Sequence, residues 1–309
     1  MKKVLLSLAA VTLFAISAQA ADYTIGETNQ MNPLITAMPS LSIAPDARSA
    51  GMGDIGVATD ADLNSLHWNP AKYAYMQSAG GLTANYTPWL RKLVSDIDLA
   101  HIAGYYNFGD LAGGIAASFT YFSLGTVNLT DANGTVLQDV QPNEWSLDLS
   151  YYRKLHEYVS MAVALRFMYS DLNNGYNTST TTAGEMYPAW TMAADVSLYY
   201  HQPIELPMGT SYFSLGFALQ NLGGKMTYDK ITKNFIPATM RIGVNYELPF
   251  DKYNSLTFGV QADKLMVPSR KSKYADDESG TWTQEGYSAL SSVKGIFQSF
   301  ADAPGGALE

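Results

Sequence analysis

A run of glycines at 51–56 is the first place where residue types and spacing suggest chemistry. Gly51-Met52-Gly53-Asp54-Ile55-Gly56 matches GxGxxG, the loop that lets a backbone approach a pyrophosphate. A dinucleotide site also needs an apolar strand before the loop, and Asp46-Ala47-Arg48-Ser49-Ala50 is no such strand. These glycines predict tight packing instead. His156-Glu157 opens like the zinc motif HExxH, but Ser160 stands where the second His belongs, so a turn between strands is expected. Asp131-Ala132-Asn133-Gly134 begins like a calcium loop, yet Pro142 occupies the position of its closing Glu. The four histidines, His67, His101, His156 and His201, lack ligand spacing and read as structural. There is no Cys, which excludes thiolate metal sites, disulfides, a thiol nucleophile and a lipoprotein anchor. A Ser-His-acid triad need not be local in sequence, but nothing along the chain assembles one. The reading is a non-enzyme with no cofactor and no metal.

The elements that would position these residues read as strands. Lys2 and Lys3, an apolar run from Val4 to Ile16, and Ala18-Gln19-Ala20 form a secretory signal peptide over 1–20, with Ala18 and Ala20 flanking the cleavage site. Residues 21–78 are rich in Pro, Gly and Ala, alternate little, and predict irregular structure with short helices near 46–50 and 61–66. From 79 onward, segments of about ten residues alternate apolar and polar between turn signals. The clearest are 145–152, 159–168, 212–219, 240–248 and 256–263; weaker ones are 79–88, 97–108, 111–122 and 189–201. Asn133-Gly134 between two apolar-alternating stretches predicts a hairpin projecting from a long loop. Residues 289–300 place Leu290, Val293, Ile296, Phe297 and Phe300 at helical spacing.

A soluble sandwich shows the same alternation. Two features favour a transmembrane barrel, with 79–309 as its wall. Aromatics gather near strand ends, as interfacial girdles require, and short connections alternate with long polar ones at 123–143, 171–188 and 223–237. About nine strands is an odd number, whereas bacterial single-chain barrels close with an even one, so further strands are expected beyond this sequence. Composition agrees. The 309 residues carry 19 Lys and Arg against 28 Asp and Glu, a net charge of −9 that excludes nucleic acid as the main partner. Charged residues make up only 15%, and aromatics 12%, which argues against disorder.

One stretch is more specific. Residues 39–76 run through Ala44-Pro45-Asp46-Ala47-Arg48, Gly51 and Gly53 to His67-Trp68-Asn69-Pro70-Ala71. This resembles the N-terminal hatch of the PorV family of the Bacteroidetes type IX secretion system, itself a branch of the FadL-like barrels. Arg48, Gly51, Gly53, Trp68, Asn69, Pro70 and Ala71 carry the resemblance. The Asn-Pro-Ala step is shared across FadL-like proteins, while the Ala-Pro-Asp-Ala-Arg opening and Trp68 point to the narrower family.

The resemblance implies an all-β, FadL-like antiparallel transmembrane barrel of fourteen strands, about nine of them here, with an N-terminal hatch or plug over 21–78. It also implies a place in the outer membrane, against lipid, and a role as a shuttle. Such a protein collects cargo bearing a C-terminal signal domain from the type IX translocon barrel and delivers it to a sortase-like surface attachment complex. The external loops would bind cargo, with Asn128, Asp131, Asn133, Gly134, Asn174, Tyr176 and Tyr228 as candidate contacts. Because buried charges need partners, charges of the hatch (Arg48, Asp54, Asp60 and Asp62) are expected to pair with wall charges such as Asp148, Arg166, Arg241, Glu247 and Asp263, the alternative being that they sit solvated in a wet lumen. The alternatives are a FadL-like channel for hydrophobic small molecules, with Gly113-Gly114 marking a strand kink, and a lipopolysaccharide deacylase.

Overall fold

The computed structural model describes residues 34–109, 112–130, 133, 135–174, 186–251, 253–270, 275–276 and 281–302. The expected signal peptide with its cleavage-site residues Ala18 and Ala20, and the loop candidates Asp131, Gly134 and Tyr176, lie outside the described residues.

Alternation of apolar and polar side chains sets the architecture, because a period of two suits only a strand. Among the described residues eleven strands form: β1 (Gly80–Pro88), β2 (Ile97–Gly109), β3 (Gly113–Leu124), β4 (Val127–Thr130), β5 (Val136–Val140), β6 (Asn143–His156), β7 (Val159–Asp171), β8 (Ala189–Leu206), β9 (Gly209–Gly223), β10 (Thr239–Pro249) and β11 (Ser255–Leu265). Nine make one antiparallel sheet in the order β1-β2-β3-β6-β7-β8-β9-β10-β11, and β4-β5 is the expected hairpin. All nine expected wall strands are present. β1 and β11 are the edges of the sheet, and no pairing that closes it into a barrel is present among the described residues. Among those residues no helix is long and apolar enough to cross a membrane.

Meander pairing sends every long connection to one end. The described residues 89–96, 125–130, 135–142, 172–174, 186–188, 224–238 and 266–270 lie there, while 112, 157–158, 207–208, 250–251 and 253–254 lie at the other. His156-Glu157 sits at one of these short turns, as expected. The two faces differ. One exposes Leu82, Ile102, Phe119, Leu147, Leu165, Val244 and Phe258. On it Tyr121, Trp145, Tyr169 and Trp190 stand side by side in register across β3, β6, β7 and β8, with Trp145 stacked on Tyr169 at 5.3 Å. The other face is polar and buried, because residues 34–76 lie on it.

That N-terminal segment contains a 3-10 turn at Pro39–Ser42, α1 (Ala47–Gly51), α2 (Ser65–Trp68) and a 3-10 helix at Pro70–Tyr75. It runs from the long-loop end, where Ala37 and Met38 pack with Met168, Met226 and Ile236, to the short-turn end, where Tyr73 packs with Tyr105, Tyr152 and Tyr199.

The C-terminal region departs from expectation. Two short helices form, α3 (Gln284–Ala289) and α4 (Ser292–Gln298), in place of one amphipathic helix. Leu290 is buried with Phe235, Val267 and Tyr287, but Val293, Phe297 and Phe300 point outward. The inward side of α4 is Gly295 and Gln298. Gly295 lies so close to the Phe235 ring that a Cβ would come within 2.7 Å of it, so contact with Phe235, rather than the apolar stripe, sets the helix rotation.

Candidate functional site

The segment on the polar face is fixed by a small set of buried contacts. Asp46 caps α1 by accepting from Ser49 N at 2.8 Å and also accepts from Trp68 Nε1 at 3.0 Å. The Trp68 ring is 1% exposed, lies against Gly56, and carries the Arg241 guanidinium 4.6 Å above it. Asn69 Nδ2 donates to Val57 O at 2.9 Å and to Leu198 O of β8 at 3.0 Å, while its Oδ1 accepts from Ala71 N. Pro70 opens the 3-10 helix, where its missing N–H costs nothing. Ser160 Oγ of β7 donates to Ala71 O at 2.7 Å. Trp68, Asn69, Pro70 and Ala71 thus form one joint between segment and wall.

The wall has a glycine track to receive it. A Cβ at Gly216 would lie 2.0 Å from Val57 O, and one at Gly243 would lie 2.7 Å from a Val57 side-chain carbon. Gly216 and Gly243 are register partners on β9 and β10. Gln261 of β11 accepts from both Gly56 N and Val57 N at 2.9 Å. Lys72 is fully buried, donates to Gly56 O at 2.8 Å and Thr59 Oγ1 at 3.1 Å, and has its ammonium pushed down from the usual lysine range by burial. Of the motif glycines, Gly51 and Gly53 have open space around them, contrary to expectation; Gly53 is needed for its φ of +81° after α1. The tightly packed one is Gly56.

The expected ion pairs between segment and wall do not form. Arg48 pairs within the segment, with Asp62 at 2.9 Å and Asp60 at 3.9 Å. Arg166 pairs within the wall, with Asp148 at 2.5 Å and Asp195 at 3.2 Å. Arg241 lies 3.9 Å from Asp263. The ladder explains this, because Asp148 faces Arg166 and Arg241 faces Asp263 as cross-strand partners. Asn221 extends the buried network by accepting from Arg166 Nη1 and donating its backbone N–H to Asp195 at 2.7 Å.

His67 lies over this cluster, 6.5 Å from His101, with its Nε2 buried and unpartnered. Burial first, then Arg241, His101 and Arg166, hold its imidazole well below the ordinary 6.5. The packed segment therefore keeps His67 neutral, while a released segment takes up a proton below about pH 6.5. Its anchoring is accordingly complete above that value and weakens as pH falls toward the folded value. Protease cleavage within 34–76 is expected to quicken between pH 7.5 and 5, and His67→Gln is expected to flatten the dependence. A cleavage rate that stays level in the parent protein would contradict this account of His67.

At the long-loop end, Asn128 and Asp139 bond across the β4–β5 hairpin. Asp96 accepts from Thr126 N at 2.7 Å and fixes the hairpin's base. Val127, Val136 and Leu137 stay exposed. Asn133 lies at the hairpin tip, between β4 and β5, and Asn174 takes a left-handed φ of 49° just after β7. Tyr228 is set deeper than a loop contact. Its hydroxyl donates to Ser170 Oγ at 3.0 Å, and Ser170 donates to Glu144 at 3.2 Å. Ser40 of the N-terminal segment donates to the same carboxylate. Burial pushes the Tyr228 phenol up to about 12. The structure therefore brings the Trp68–Ala71 joint together on the polar face and sets the loop candidates apart at one end.

A serine–histidine contact that sequence reading missed lies at the other end, where His201 Nδ1 is 2.9 Å from Ser214 Oγ. Ser214 is 0% exposed and also accepts from Tyr199 OH at 3.1 Å. His201 is stacked on Tyr212 at 4.9 Å. A nucleophile must be reachable, and this hydroxyl is sealed beneath the segment, so the pair serves packing. Among the described residues no group of three His, Asp or Glu side chains is placed to hold a metal.

A family model described as "Type IX secretion system protein PorV" matches residues 26–272 of the chain. No curated protein matches it.

Proposed function

Because the chain belongs to the PorV family of type IX secretion system proteins, we propose that it works in the outer membrane as a cargo carrier. In this reading the sheet is part of a FadL-like barrel wall and residues 34–76 are its hatch. The long-loop end faces outward, binds the C-terminal signal domain of secreted cargo handed over by the translocon barrel, and passes it to a sortase-like attachment complex.

The segregation of the two faces carries the membrane part. From Trp190 to Tyr200, two aromatics on the outer face of β8, the strand advances about 33 Å. A tilt of about 40° turns that into about 25 Å across the membrane, the height of the apolar band of outer-membrane barrels. Family membership carries the secretion part, and the gathering of the long connections at one end supplies the surface. The exposed hairpin β4–β5 offers strand edges to which an incoming β-domain can add.

Replacing residues 127–140 by a short Gly-Ser turn is expected to leave the wall folded and to cut retention of a cargo signal domain at least tenfold. Pull-down with a purified signal domain reads this. Unchanged retention would remove the hairpin from the binding surface.

One observation favours the channel as a second reading. The β2–β3 ladder shifts register at Asn107/Gly109, opposite Gly113, whose φ is +73°. Against it, the middle of the covered face carries the Asp148–Arg166–Asp195 network rather than an apolar pocket.

A further inference from the structure

We propose that the outer face of β1, β2, β3 and β6 holds one anionic lipid, its phosphate at Arg91 and Lys92 and an acyl chain reaching a depression floored by Gly104 and Ala117. The proposal rests on the outer-membrane reading above.

The headgroup end is the β1–β2 connection. Residues 90–95 are all exposed, and Leu93 is 81% so. Leu93 N and Val94 N both donate to Leu90 O, at 2.7 and 3.1 Å, which folds the turn tightly around the adjacent Arg91 and Lys92. Exposed leucines flanking two cations, at the end of a lipid-facing strand, match an interfacial surface with bound anionic headgroups. In a chain of net charge −9 this basic pair is a local feature. The two acidic residues that follow in the chain are each hydrogen-bonded elsewhere: Asp96 accepts from Thr126 N, and Asp98 accepts from Tyr86 OH at 2.6 Å.

The chain end is a concavity of about 520 Å³ on the same face. Register aligns Leu82, Gly104, Ala117 and Leu149 in one row, so the two small residues form a floor between two leucines. Ile102 and Phe119 bound it toward the long-loop end.

The depth matches. Leu82 lies six residues before Pro88, where β1 ends. That is about 20 Å along the strand and, with a tilt near 40°, about 15 Å across the membrane. Half of the roughly 25 Å apolar band is about 12 Å, so this depth lies close to the midplane. A lipid anchored at Arg91 and Lys92 therefore places its chain end over Gly104 and Ala117.

The test is native mass spectrometry of the purified full-length protein titrated with lipid A, phosphatidylglycerol or phosphatidylcholine. The parent protein is expected to bind at least one of the two anionic lipids at least tenfold more tightly than phosphatidylcholine. The double variant R91Q/K92Q is expected to lose that preference, and A117L, which fills the depression from the outside, to weaken anionic-lipid binding severalfold. Preference for lipid A identifies an outer-leaflet glycolipid as the source, and preference for phosphatidylglycerol a phospholipid. Equal affinity for all three lipids, or binding that neither variant changes, would overturn the proposal. Cell fractionation separates the two failures. A chain absent from the outer-membrane fraction overturns the membrane reading itself, whereas one present there that does not discriminate overturns only the lipid site.

Discussion

Arg166→Leu is expected to cost about 3–5 kcal/mol, the usual penalty for removing one partner of a buried ion pair. Against a net stability of roughly 5–15 kcal/mol, that is enough to lose much of the folded population. The reason is what remains. Asp148 and Asp195 are 4% and 2% exposed and would be left facing each other without their cation. Asn221 would lose its guanidinium partner as well. The triple variant D148N/R166L/D195N removes both stranded charges and is expected to recover most of the loss. Urea unfolding of the reconstituted protein measures both. A parent-like midpoint for Arg166→Leu alone would show that the network carries little of the wall's stability.

Gly216→Val is the second large effect. Its Cβ would fall 2.0 Å from Val57 O and 2.4 Å from the Val57 carbonyl carbon, positions that backbone cannot yield without moving the segment. Val57 and Gly56 are where Asn69, Lys72 and Gln261 converge, so shifting them undoes three anchors together. Overpacking of this kind costs about 1–3 kcal/mol. At about 1.4 kcal/mol per tenfold, the opened segment becomes roughly five to a hundred and fifty times more populated. Limited proteolysis at 50–62 is expected to accelerate by that factor while the strands stay resistant. Proteolysis at the parent rate would mean that the segment does not depend on this track.

The wall was legible because alternation is a local signal. Phe213, Leu215, Phe217 and Leu219 announce β9 without reference to any other strand. The charge network was harder to read. The two-residue turn at 157–158 pairs His156 with Val159 and by itself would set Asp148 opposite Phe167; a register shift between Lys154 and His156 is what brings Asp148 opposite Arg166. The expectation of pairs between segment and wall overlooked that ladder. Asp195 was out of reach, because the long connection over 172–188 separates its strand from β7 and leaves the register open. The seat of the N-terminal segment was equally hidden. Gly216 and Gly243 read as small residues on a polar face, and only the fold brings Val57 onto them from about 160 and about 190 residues away in sequence. His201 and Ser214 meet across the two-residue turn at 207–208, and the pair was missed because the sequence reading ended β8 at 201. The C-terminal helices misled because their apolar spacing is real, but the Gly295–Phe235 contact turns that face outward.

Carriage of cargo is the central claim, and it has a direct measurement. The full-length protein, tagged and gently purified from native outer membranes, can be analysed by mass spectrometry for everything that accompanies it. Secreted proteins that still carry their C-terminal signal domain, together with a very large barrel, are the predicted companions. Recovery of fatty acids or other lipids with no protein partner would contradict the carrier and favour the small-molecule channel.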